Sequence, residues 1–171
     1  MNTVESDASL EADARASITI GKPADELRDL WQKPDTQSLV WAHFATLTPR
    51  DDRRIDWMAH GPRGGVYQWQ THPVEGAENE LRWASLDGAD VPNVGSATFR
   101  PAPGDRGTEL SLDIRFDPPG GSIGVAVSKL FHIVPREIVS KALYRFRALA
   151  LTGEVPRTDP QPAARNGGID R

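Results

Sequence analysis

Residues 95 to 116 read GSATFRPAPGDRGTELSLDIRF. In the second half Leu110, Leu112, Ile114 and Phe116 alternate with Glu109, Ser111, Asp113 and Arg115. That period of two gives a strand with one apolar face and one wetted face. APGDRG supplies the Pro, Gly and Asp of a connecting turn, and GSATFRP before it carries Ala97 and Phe99 to the same inner face. The stretch therefore predicts an antiparallel hairpin. A slip of one residue would turn every apolar side chain outward, so the register is well specified.

Working back toward the N-terminus, the same punctuation recurs. LRWASL (81–86), VYQWQTH (66–72), RIDWMAH (54–60) and HFATLT (43–48) are short strand-like runs. The turn-rich segments GADVPNVG, PVEGAENE, GPRGG and PRDDRR divide them. Trp57, Tyr67, Trp69, Leu81 and Trp83 fall on the face shared with Ala97, Phe99 and Leu112. Ahead of these runs, ARASITI reads as a further strand ending at Gly21. In KPADELRDLWQK, Leu27, Leu30 and Trp31 stand at i, i+3 and i+4, one face of a helix. Pro23, Asp25 and Glu26 suit its first turn and Pro34 its stop; PDTQSLVW adds a short turn.

Toward the C-terminus the period changes. IGVAVSKLF (123–131) reads as a short apolar helix. PREIVSKALYRFRALALTG (135–153) reads as a long one, with Ile138, Val139, Ala142, Leu143, Phe146, Leu149 and Ala150 in one stripe. The order is β, α, about six β, then a long α. That is an α+β layout with helices segregated against an antiparallel sheet.

At 171 residues the chain fits one domain with a substantial core. The acidic segment 1–13 and the Pro/Gly-rich segment 153–171 read as flexible tails around a domain of 14–152. A net charge of -4 and no basic surplus argue against nucleic-acid binding. The absence of cysteine removes disulfides, thiolate metal sites and a cysteine nucleophile. With no signal-peptide pattern and no run of about 18 apolar residues, the expectation is a cytoplasmic protein without a membrane span.

Chemical motifs are sparse. His43, His60, His72 and His132 show no spacing suited to a metal site, so no metal and no cofactor is expected. His60 ends a strand beside GPRGG and His43 opens one, which makes either a candidate acid or base at a pocket mouth. An exposed or capping role is the simpler account of both. Ser96 lacks a nucleophile elbow. Asp51 and Asp52 sit in a charged hairpin tip, while Asp87 and Asp90 sit in the GADVPNVG loop, where turn formation accounts for them.

The ordered segments SITIGKPADELRDLW, IDWMAHGPRG, VYQWQTH, LRWASLDGADVPNVGSATFRPAPGDRGTEL and DPPGG resemble the START-like (SRPBCC) superfamily. Within it they are most similar to the polyketide cyclase/dehydrase and coenzyme Q-binding-like branch. The resemblance implies a helix-grip fold, a curved antiparallel sheet of about six to seven strands wrapped around a long C-terminal helix. It also implies an apolar cavity between sheet and helix for a lipid, quinone or polyketide-like molecule. The cavity candidates are Trp57, Tyr67, Trp69, Trp83, Phe99, Leu112, Ile114, Leu143 and Phe146, with His60 and Thr71 as polar groups at the mouth. These side chains either line a cavity or fill it.

Ile123, Val125, Val127, Leu130 and Phe131 would form a lid, touch a membrane surface transiently, or pack at the sheet edge. The expected activity is binding or carriage of a small hydrophobic ligand without catalysis. The alternatives are a polyketide cyclase/aromatase-type enzyme and a solid-core interaction protein with no small ligand.

Overall fold

The computed structural model describes residues 12–61, 64–116 and 135–156. The acidic segment up to residue 11, Pro62 and Arg63, the DPPGG-to-lid segment with His132, and the C-terminal segment from 157 lie outside them.

The hairpin at 95–116 forms β6 (Asn93–Pro101) and β7 (Thr108–Phe116). Gly95 pairs with Ile114, Ala97 with Leu112 and Phe99 with Leu110, so both apolar sets share one face. The turn closes at Gly107, whose φ is 103°, a conformation that favours glycine. A Cβ there would stand 2.2 Å from the Ile20 carbonyl oxygen. The close approach lets β1 (Ala12–Ile20) run antiparallel to β7, with Ile20 opposite Thr108.

From β6 the sheet continues through β5 (Glu80–Ser85), β4 (Val66–Val74), β3 (Ile55–His60) and β2 (Thr46–Pro49). The spatial order is β1-β7-β6-β5-β4-β3-β2, antiparallel throughout. The seven strands curl into a half-barrel. Its concave face carries the expected residues: Trp57 pairs with Trp69, Ala59 with Tyr67, Leu81 with Ala97 and Trp83 with Gly95.

Helix α1 (Ala24–Gln32) follows β1 and buries Leu27 and Trp31. Asp25 and Glu26 occupy its first turn, where carboxylates complement the exposed N–H groups. Pro34 does more than stop it: it is the first residue of α2 (Pro34–Val40), a position where its missing N–H is no loss. The chain then turns through 41–44, and β2 begins at Thr46 rather than at His43. Arg145 of α3 (Pro135–Thr152) donates Nε and Nη2 to the Leu39 carbonyl at 3.0 and 2.7 Å. This satisfies a carbonyl at the end of α2 and ties the two helices together.

The stripe of α3 is buried as the heptad-like spacing requires: Ile138, Val139, Ala142, Leu143 and Phe146 are all at most 2% exposed. The helix lies chiefly over β1, with contacts to β7, α1 and α2. No helix among the described residues is long and apolar enough to cross a membrane.

Candidate functional site

Between α1 and α2 on one side and the β2–β3 and β4–β5 hairpins on the other lies an open cleft of about 690 Å³. Its floor is aromatic. Trp31, Trp41, Trp57 and Thr71 are buried there, while Ile55, Leu81 and Trp83 are partly buried. The indoles hold one another in place: Trp57 stacks on Trp69 with centroids 5.7 Å apart and meets Trp41 edge-on at 5.7 Å. Trp31 meets Phe146 edge-on at 5.0 Å, which joins the floor to the core under α3.

Two of the buried indole donors have a local answer. Trp57 Nε1 donates to Thr71 Oγ1 at 2.9 Å across the β3–β4 pair. Trp41 Nε1 donates to Gln37 Oε1 at 3.1 Å, and the Gln37 amide in turn donates to the Trp31 carbonyl. Burying an unpaired N–H costs about 1–3 kcal/mol, so Thr71 and Gln37 are what allow tryptophan at the base of the cleft. Trp83 differs. It is partly exposed, and its Nε1 has no hydrogen-bond partner among the described residues.

The rim is charged and partly neutralised by its own pairs. Arg50 donates to Asp56, which also accepts from Gln70 at 2.8 Å; the Arg50 contact holds the Asp56 carboxyl below its ordinary range. Arg54 pairs with Asp52 at 2.9 Å and Arg82 with Glu80 at 3.2 Å. Arg28 of α1 donates to the Glu78 carbonyl and ties the helix to the β4–β5 tip. Exposed pairs of this kind add little stability. They fix the hairpin tips and leave the floor as the chemically distinctive part.

The candidate residues fall into three groups. Trp57, Thr71 and Trp83 line the cleft. Trp69 and Tyr67 stand beside it on the concave face, Trp69 packed between Trp57 and Phe44. Phe99, Leu112, Ile114, Leu143 and Phe146 are sealed into the core. None of the described α3 side chains lines the cleft, which opens beside α1 and α2 rather than under the C-terminal helix.

His60 pairs with Val66 and is exposed on the outer face of β3, away from the cleft. His43 lies in the turn after α2 instead of opening a strand. Its Nε2 stands 3.1 Å from the Ile138 carbonyl and its ring stacks on Trp41. Nδ1 is buried without a partner. Burial, reinforced by Arg145 and Lys141, pushes the His43 pKa down despite the Ile138 bond.

Sequence reasoning does not single out Gln37, Leu81 or Arg28 as site residues, though all three line the cleft. The i+4 spacing of Gln37 and Trp41 is the one local signal among them. The GADVPNVG loop is structural in its bonding. Asp90 accepts from the Gln68 N–H at 2.8 Å and returns its own N–H at 3.1 Å, while Val91 is 1% exposed. The loop thereby prolongs the pairing along β4.

Comparison with protein-family models finds no match, and none of the curated proteins matches. Solved structures do. A Deinococcus radiodurans protein, DR_A0006, is 28% identical over 82% of this chain and 98% of its own, with a TM-score of 0.63. TTHA0849 from Thermus thermophilus is 20% identical over the same shares, at 0.64. The di-domain ARO/CYC StfQ of the steffimycin biosynthetic pathway is 13% identical over 84% of this chain and 52% of its own, at 0.60. The last two likenesses are of fold, and the fold is α+β of the helix-grip kind, consistent with a START-like fold.

Proposed function

We propose that the protein binds and carries a small hydrophobic ligand in the cleft between α1, α2 and β3–β5. The observation that carries this reading is the partly exposed Trp83 above a floor in which the Trp57 and Trp41 indoles are hydrogen-bonded, at a rim where Arg54 and Arg82 pair with Asp52 and Glu80. Affinity would come from burial, about 25 cal/mol per Å² of apolar area covered. A pocket of mainly apolar lining with a few placed polar groups is the usual form of a small-molecule site.

The likeness to StfQ favours a second reading, in which the same cleft positions a reactive chain for cyclisation. Thr71 is the nominated polar group that lines the cleft, and its oxygen already accepts from Trp57. Carriage asks nothing further of it, and this is what ranks carriage first.

Native purification, solvent extraction and mass spectrometry test the proposal. A near-stoichiometric apolar compound that Trp83→Ala fails to retain supports it. Recovery of no compound, together with no measurable binding of 2-naphthol, would contradict it. Conversion of a recovered compound into a cyclised product would favour the second reading.

A further inference from the structure

Trp83 and Gly95 are directly opposed on β5 and β6, and the indole crosses the glycine closely. A Cβ at position 95 would lie 2.2 Å from Cζ2, 2.3 Å from Cε2 and 2.7 Å from Nε1 of Trp83. Real Cβ contacts are essentially never under 3.0 Å, and ordinary ones begin at 3.4 Å. Any side chain at 95 would therefore displace the ring by about 1 Å or more, a shift that a closely packed surface does not absorb unnoticed. Gly95 has no positive φ, so its backbone conformation does not call for glycine; the space it leaves does. Cross-strand glycine covered by an aromatic ring is a known way of holding both.

The direction of that displacement matters. Position 95 projects to the concave face, as do its partners Trp83 and Ile114. Pro73, opposite Trp83 on β4, also lines the cleft. The indole lies over position 95, so a Cβ projecting from there would lift the ring off the sheet, toward the cleft that Trp83 lines. Gly95 itself is not among the lining residues; it acts through Trp83.

We propose that Gly95 is a positioning residue that sets ligand size: by carrying no side chain, it keeps the Trp83 indole down on the sheet and the cleft deep. This rests on the cleft being the ligand site. Hydrophobic pockets discriminate by about 10–200-fold for one methylene, so a raised indole would tell strongly against large ligands.

The test uses two fluorescent probes, 2-naphthol with two fused rings and pyren-1-ylmethanol with four. The readout is the ratio of their affinities for the full chain. Gly95→Ala is expected to weaken the pyrene probe about tenfold or more while 2-naphthol changes less than about threefold. Trp83→Ala is expected to weaken both probes while moving the ratio the other way, and the double variant Gly95→Ala/Trp83→Ala to recover the Trp83→Ala ratio.

If Gly95→Ala does not fold, the Trp83→Ala ratio decides alone, and an unchanged ratio overturns the proposal. Equal loss of both probes in Gly95→Ala, with no recovery in the double variant, would overturn the size role while leaving the cleft as a binding site. Wild-type protein that binds neither probe would overturn the cleft reading and this one together.

Discussion

Over β1 and β7 the 18-residue α3 sets Ile138, Val139, Leu143 and Phe146 down on Ala14, Ile20, Leu110 and Leu112, and these side chains are almost wholly shielded from solvent. Across the cleft from β3, β4 and β5 stand two short helices of 9 and 7 residues, and the sheet on that side carries Trp57, Trp69 and Trp83. Small and branched residues let a helix approach the sheet closely. Large flat residues stacked on one another hold the cover away and leave a cleft of about 690 Å³. One sheet thus has a sealed half that supplies stability and an open half that holds the proposed site. Stability measurements and binding measurements should therefore respond to different residues.

The largest effect belongs to the sealed half. Phe146→Ala is expected to cost about 3–5 kcal/mol in urea unfolding, since the ring is fully buried against Trp31. Trp83→Ala, although it removes a larger side chain, is expected to cost about 1–2 kcal/mol because that indole is only partly buried. Equal losses would erase the distinction between the halves. Next comes the base of the cleft. Thr71→Val keeps the shape but strands the Trp57 N–H, with an expected cost of about 1–3 kcal/mol by the same measurement.

A pH effect sharpens how the two halves are joined. His43 sits where Trp41 of the floor meets Ile138 of α3, and its folded pKa lies below the ordinary 6.5. As pH falls through about 6.5 the unfolded chain takes up a proton that the folded protein refuses, so stability declines with falling pH. The decline levels off below the folded value, where both states are protonated. Unfolding midpoints measured at a series of pH values should show this slope, and His43→Gln should flatten it. A slope unchanged in that variant would assign it elsewhere. The smallest effect is expected on the outer face: Asp113→Ala breaks the exposed pair with Arg15 and should cost at most about 1 kcal/mol.

Much of this was legible in the sequence because strand parity is strict. The alternation at 108–116 fixed which face of β7 is buried, and the tryptophans at 57, 69 and 83 fell on that same face. By the same parity His60 points outward once Trp57 is inward, so its exclusion from the cleft is available from spacing alone. Pro34 was read as a stop because proline ends one helix and begins another with the same local preference; only tertiary packing distinguishes the two uses.

The position of the cleft was not legible. The β2–β3 and β4–β5 tips, 49–54 and 73–80, are distant in sequence and line one cleft with α1 only when the sheet curls. The pairing of Gly95 beneath Trp83 depends on register across a loop. A glycine opening a strand looks like punctuation until its neighbour is known.

In the proposed site Trp83 faces the ligand, and the remaining indoles do not move to meet it. The chain has five tryptophans, so a titration of ¹⁵N-labelled protein with 2-naphthol reports on all of them through their indole N–H signals. The expected result is a saturable shift largest at Trp83, smaller at Trp57 and Trp41, and least at Trp69, which stands outside the cleft lining. A saturable shift largest at Trp69, or no shift at Trp83 with binding shown by another method, would contradict it.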